Sequence, residues 1–270
     1  MRLVPSASHG RMTALILVII LLTASAPFSI RETRAGQQAT EQGCQAIFAP
    51  AYYWYDLNFF PQWDELIHAN SENMTVIVGI PLSQGQVDPA YAWVIQQARE
   101  QGIRVLAYVQ TYFGQRDPNE LKMVIEHLED WYDIDGIFID EVMPDHDMVD
   151  YYADIVAEAR KYPNQTVVIN PGGTASIDYV EMADMIVTFE GNFDQYMNLE
   201  IPDWMSEYDA SRFIHIVHST SNDKMEQVLD ISRTRNVANI YVTDDRGANA
   251  YHLLPTYWEQ EVQAIADACE

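Results

Sequence analysis

Gly136-Ile-Phe-Ile-Asp-Glu-Val142 is a short apolar run that ends on two consecutive carboxylates, Asp140 and Glu141. Its length and β-branched content read as a fully buried strand. A strand covered on both faces belongs to a parallel sheet flanked by helices. Nothing about building such a strand calls for two acids where it stops, and in α/β folds that end faces the ligand.

The same pattern recurs on either side of this run. Apolar β-rich segments fall at Ala46–Ala51, Thr75–Ile80, Arg104–Val109, Gly136–Asp140, Thr166–Asn170, Met185–Phe189, Arg212–Val217 and Asn239–Thr243. Between them lie helical patterns at Pro61–Ala69, Pro89–Gln101, Pro118–Trp131, Met148–Lys161, Ile177–Glu181, a broken Phe193–Met205, Lys224–Arg235 and Pro255–Ala268. Proline near the first turn of several helices suits its fixed φ and missing N–H. Eight strand–helix units predict an α/β fold of the (β/α)8 TIM-barrel type over residues 36–270, as a single domain. A doubly wound open sheet is the competitor, but no Gly-x-Gly-x-x-Gly turn follows the first strand, which runs instead into Tyr52-Tyr-Trp-Tyr55.

Residues 1–35 read as a secretory signal and leader. Arg2 and Arg11 give a basic flank, Ala14–Leu22 an apolar core, and Thr23–Ala26 small residues. The apolar core falls short of the ~20 residues that span a bilayer. Pro27 disfavours a cut after Ala26, leaving Ala24 and Ala35 as alternatives.

Removing residues 1–35 takes away four arginines and one glutamate, leaving 11 basic against 39 acidic residues, a net of −28. Nucleic acid and anionic membranes are poor partners for that charge. Attraction of a cationic polymer is one reading of the acidity; solubility or a salty habitat is the other. Cys44 and Cys269 lie near the two ends of the exported part, and an even pair in such a protein invites a disulfide. Neither has zinc-ligand spacing, so no metal is expected, nor any cofactor.

In a barrel, the active groups collect where strands end. Strand one ends in Tyr52, Tyr53, Trp54 and Tyr55, strand two in Pro81 and Ser83, and strand three in Tyr108, Gln110 and Tyr112. Asp140 and Glu141 follow strand four, Asn170 strand five, and Glu190-Gly191-Asn192 strand six. His215 and His218 belong to strand seven, and Asp244 and Asp245 to strand eight. Carboxylates ringed by aromatics and amides suit a sugar, because paired acids supply the proton-transfer and nucleophile roles of glycosidic cleavage.

Asp140 and Glu190, two strands apart around the barrel, are the expected catalytic pair. Glu141 is a supporting acid, since neighbours on a regular strand point to opposite faces. Tyr52, Tyr53, Tyr108, Gln110, Asn170, His218 and Asp244 are the expected substrate-binding residues. Each has a plainer alternative: part of the 52–55 cluster is core, His215 and His218 point to opposite sides as a core and a surface histidine, and Asp244-Asp-Arg-Gly247 reads equally as a turn.

The chain resembles the spherulin-4-like proteins grouped with glycoside hydrolase family 135. The resemblance is carried by Ala49-Pro-Ala-Tyr-Tyr53, the Gly-x-x-x-Asp-Glu strand Gly136–Glu141, the Asn170-Pro-Gly172 turn and Phe189-Glu190-Gly191, in this order along the chain. It implies a secreted or cell-surface (β/α)8 enzyme that cuts a galactosaminogalactan-type exopolysaccharide endo-fashion at α-1,4-linked N-acetylgalactosamine. Asp140 would be nucleophile or charge stabiliser, Glu190 the general acid/base and Glu141 a further required acid. The expected partner is thus a polysaccharide, partly deacetylated and cationic in one form, and the expected state is a monomer. The rival functions are a silent carbohydrate-binding cell-surface barrel, a hydrolase of a different exopolysaccharide, and a deacetylase or metal-dependent hydrolase on the same polymer.

Overall fold

In the computed structural model, residues 44–269 are described except 54–59, 70–72, 83–84, 164 and 248. The leader, Trp54, Tyr55 and Ser83 therefore lie outside the described residues. Eight parallel strands form a closed barrel in sequence order: β1 (Ala46–Pro50), β2 (Met74–Val78), β3 (Arg104–Gln110), β4 (Gly136–Asp140), β5 (Thr166–Ile169), β6 (Met185–Asn192), β7 (Phe213–His218) and β8 (Asn239–Val242). The barrel closes where Ala46 and Ile47 of β1 pair with Asn239 and Ile240 of β8. This is the single α/β barrel expected from the alternation.

Each strand is followed by a helix: α1 (Phe60–Ile67), α2 (Pro89–Glu100), α3 (Pro118–Trp131), α4 (Val149–Ala159), α5 (Ile177–Met182), α6 (Phe193–Met197), α7 (Asn222–Thr234) and α8 (Trp258–Asp267). Asp88 and Asp117 accept from Ala90 N and Asn119 N one residue ahead of Pro89 and Pro118, so both helices start on a capped turn with no wasted donor. The eighth helix begins three residues later than its sequence pattern. Pro255 sits ahead of it in a turn in which Trp258 N donates to Pro255 O. No described helix is long and apolar enough to cross a membrane.

Gly136 explains its own place in the strand-four motif. A Cβ there would lie 2.0 Å from the Thr166 carbonyl oxygen of β5, a backbone atom that cannot step aside. The glycine sets how closely β4 and β5 approach, and those strands carry Asp140 and Asn170.

A disulfide joins Cys44 to Cys269 across 225 residues of chain, fastening the start of β1 to the end of α8. Loop-closure arithmetic assigns such a long bridge about 4–5 kcal/mol through the unfolded state. Intact mass without reductant is expected to show both cysteines oxidised. Reductant or Cys44→Ser is expected to lower unfolding free energy by about 4 kcal/mol in denaturant titration; two free thiols, or an unchanged midpoint, would refute the staple.

Candidate active site at the barrel mouth

A cleft of about 880 Å³ opens at the C-terminal ends of the strands. Tyr52, Tyr108, Gln110, Asp140, Glu141, Asn170 and Glu190 line it, together with Tyr91, Phe113, Phe138, Ile216 and Tyr251. Alternation accounts for most of this set. Tyr108 pairs with Phe138 and Gln110 with Asp140, so the inward residues of β3 and β4 stack toward the mouth in two rungs.

Asn170 organises the acids. Its Nδ2 donates to Asp140 Oδ1 and to Glu190 Oε2, each at 2.7 Å. Its Oδ1 accepts from Gly172 N at 2.8 Å, which fixes the amide orientation, because only the oxygen can meet an N–H. The Asn170-Pro-Gly172 turn thus aims the NH2 group at both carboxylates. Two oxygens each 2.7 Å from one nitrogen are at most 5.4 Å apart. Asn170, expected from sequence to meet substrate, lines the cleft, and both its amide hydrogens go to the acids.

Burial first, and the Glu190 charge second, push the Asp140 carboxyl up to about 6, while hydrogen bonds from Tyr108, the Glu141 backbone and Asn170 pull the other way. Glu190 accepts a second bond, 2.7 Å, from the Tyr251 hydroxyl. Tyr52 packs edge-on against Tyr108 and Tyr251, with ring centroids 5.3 and 6.3 Å apart. Burial, then nearby carboxylates, push the Tyr108 and Tyr251 hydroxyls upward, so both remain donors at neutral pH.

Two local irregularities bring the acids to one side. Glu141 has φ 53°, a left-handed conformation uncommon outside glycine. The strand therefore does not stay regular past Asp140, and both acids line the cleft. In β6, Val187 pairs with Ile214 but Phe189 with His215, so one extra residue is inserted at Thr188. On a regular strand Val187 and Glu190 would face opposite ways. The bulge puts both on the face of Ile214 and the cleft-lining Ile216.

Three expected site residues lie outside the cleft. Tyr53 is 1% exposed and packs against Trp63 of α1, in the layer between barrel and helices. Asp244 accepts from Thr256 N and Thr256 Oγ1, at 3.0 and 2.5 Å, and so ties down the approach to α8. His218 turns its Nδ1 to Ser219 Oγ at 2.9 Å beside the mouth. His215 is a core histidine, bonded to Tyr196 OH and Thr188 Oγ1, its pKa pushed down to about 3 by burial. Tyr251 and Phe113 escaped the sequence reading. Tyr251 stands nine residues beyond β8 in a loop, and Phe113 follows a left-handed residue that breaks the count of alternating positions.

Among the described residues no group of three His, Cys, Asp or Glu side chains is arranged to hold a metal ion. A closed β/α barrel with half-buried paired acids at its strand tips defines the class of protein. The chain belongs to spherulation-specific family 4, whose model matches residues 46–265. A comparison with curated protein sequences finds no match. Among solved structures, Sph3 of Aspergillus clavatus, in complex with GalNAc, is 21% identical with a TM-score of 0.71, covering 83% of this chain and 98% of that one. The GH113 β-mannanase of Alicyclobacillus acidocaldarius is 10% identical with a TM-score of 0.56, covering 85% and 99%. A chitinase domain of Pyrococcus furiosus, complexed with chito-oligosaccharides, is 12% identical with a TM-score of 0.56, covering 85% and 97%. At these identities the likeness establishes the shared barrel.

The Asn170 bridge makes a direct prediction. Asn170→Ala removes a hydrogen bond to the charged form of Asp140, so its pKa is expected to rise above about 6 in an NMR carboxyl titration. A value that stays or falls would refute the bridge.

Proposed function

We propose that this protein is an exported glycoside hydrolase that cuts within an amino-sugar exopolysaccharide. The observation that carries the reading is the pair Asp140 and Glu190, held by one amide with their nearest oxygens at most 5.4 Å apart. Retaining glycosidases place their carboxyls ~5–5.5 Å apart, whereas inverting enzymes leave a longer gap for water. The spacing supports a retaining double displacement.

In that mechanism Asp140, ionised, attacks the anomeric carbon while Glu190 gives its proton to the departing glycosidic oxygen. Glu190 then takes a proton from water, whose oxygen displaces Asp140 from the sugar and restores both acids. The two carboxyls act as a pair, since the Glu190 charge is one of the causes that push the Asp140 carboxyl up. The Tyr251 hydroxyl orients Glu190. Glu141 keeps a buried Oε2 without a hydrogen-bond partner at the cleft wall, an acceptor ready for a sugar hydroxyl or amide.

Similarity to Sph3 in complex with GalNAc favours N-acetylgalactosamine as the sugar recognised, and the α-1,4 linkage is what the family resemblance implies. No Lys, Arg or His is among the described lining residues, which favours neutral or partly deacetylated, cationic polymers over uronic-acid ones. The disulfide and the leader pattern support an extracytoplasmic location.

Digestion of purified galactosaminogalactan is expected to release oligosaccharides, and Asp140→Asn and Glu190→Gln are each expected to lower kcat by about a thousandfold or more with circular dichroism unchanged. Polymer binding with no product release from the wild type would instead identify a silent binding barrel. The pH profile assigns the roles. A nucleophilic Asp140 must be ionised, so kcat/KM is expected to fall as pH drops below about 6. Activity that instead rises below pH 6 and is lost above it would make Asp140 the acid.

A further inference from the structure

The turn after β3 is built at a conformational cost that its own packing does not repay. Tyr112, Phe113 and Gly114 take φ of 49°, 55° and 77° in succession. Two bulky side chains in the left-handed region are outliers, and such backbone persists only where its surroundings over-determine it. Here the surroundings include the backbone carbonyls of the two acids, beside the turn's own bonds from Gln115 N to Tyr112 O and from Arg116 N to Thr111 O. Thr111 N and Thr111 Oγ1 donate to Asp140 O at 3.1 and 3.0 Å. Thr111 Oγ1 and Phe113 N donate to Glu141 O, each at 2.8 Å. Gly114 completes the turn against Met148, whose Cε would be 2.2 Å from a Cβ at that position.

The side chains gain little from this. Tyr112 is 51% exposed and Phe113 49% exposed. Their difference lies in direction: Phe113 lines the cleft and Tyr112 does not. A rigid, half-wetted aromatic face, hung from the backbone of both acids and open to the cleft, is shaped for the apolar C–H face of a pyranose ring.

We infer that Phe113 is a stacking platform for a sugar unit neighbouring the one at Asp140 and Glu190, giving the cleft a second subsite and a preference for chains over single sugars. The inference rests on the polysaccharide hydrolase reading and deepens it. The turn keeps the platform in register with the acids, because Phe113 N is bonded to the Glu141 carbonyl and Thr111, two residues before it, to the carbonyls of both acids. A loop without these bonds would leave the Phe113 backbone free to shift, and ordering it on binding would cost affinity.

Tyr112→Ala is the matched control, since it places alanine on the same strained turn without touching the cleft. With α-1,4-N-acetylgalactosamine oligosaccharides of increasing length, Phe113→Ala is expected to raise KM about tenfold on long chains. Binding of free N-acetylgalactosamine should stay unchanged, Phe113→Trp should restore the long-chain KM, and Tyr112→Ala should behave as wild type. Equal losses in Tyr112→Ala and Phe113→Ala would overturn the platform and assign the effect to turn geometry.

Calorimetric binding in a Glu190→Gln background, across amino-sugar and neutral oligosaccharides, separates the two readings. Length-dependent binding that Phe113→Ala abolishes, without hydrolysis by the wild type, would retain the platform and remove the hydrolase. Hydrolysis indifferent to Phe113 would do the reverse. No binding by any member of the panel would overturn both.

Discussion

Two half-buried carboxylates at a shared mouth repel each other and are costly to desolvate, and the Asn170 amide offsets this by bonding to both. One NH2 offers a hydrogen to each acid at 2.7 Å, and a backbone N–H of the following turn holds the amide the right way round. The arrangement needs three adjacent strand ends, β4, β5 and β6, at one height. That in turn needs the close β4–β5 approach that Gly136 permits. Fold and chemistry meet in this single side chain.

The site departs from regular geometry where its acids are delivered. Glu141 turns left-handed, Thr188 is bulged, and Tyr112 and Phe113 adopt a conformation bulky residues avoid. Regular strands would have sent one of each neighbouring pair of polar groups into the helix layer. Strain of this kind is sustained by the rest of the barrel, whose strands are almost wholly buried. The tyrosines complete the environment: Tyr108 and Tyr251 are neutral donors to Asp140 and Glu190, so the acids are hydrogen-bonded by groups that add no opposing charge.

Charge works on two scales. The whole chain carries 40 acidic against 15 basic residues, and among the described residues the cleft lining repeats that bias locally with three acids and no base. Elsewhere buried ionisable groups are held neutral or tied. His215 sits between Tyr196 and Thr188 with its pKa pushed far down, and the fully buried Glu261 accepts from Val242 N with its carboxyl pushed up by burial. Asp140, Glu141 and Glu190 are the charged groups among the described residues that line the cleft.

The sequence by itself determined the eight strand–helix units, the barrel, the pairing of Cys44 with Cys269, and the residues Asp140, Glu141, Asn170, Glu190, Tyr52, Tyr108 and Gln110 at the mouth. These were legible because hydrophobic period and strand-end position are local properties of the chain. Tertiary structure alone decided that Glu190 faces inward through a bulge, that Glu141 joins Asp140 in the cleft, and that Asn170 serves the acids. It also decided that Tyr53, His218 and Asp244 serve the packing or the loops around the mouth, while Tyr251 and Phe113 enter the cleft. Each of these turns on a side chain's direction after a break in regular backbone. One residue of slip reverses that direction, and only contacts from distant strands and loops fix where the slip occurs.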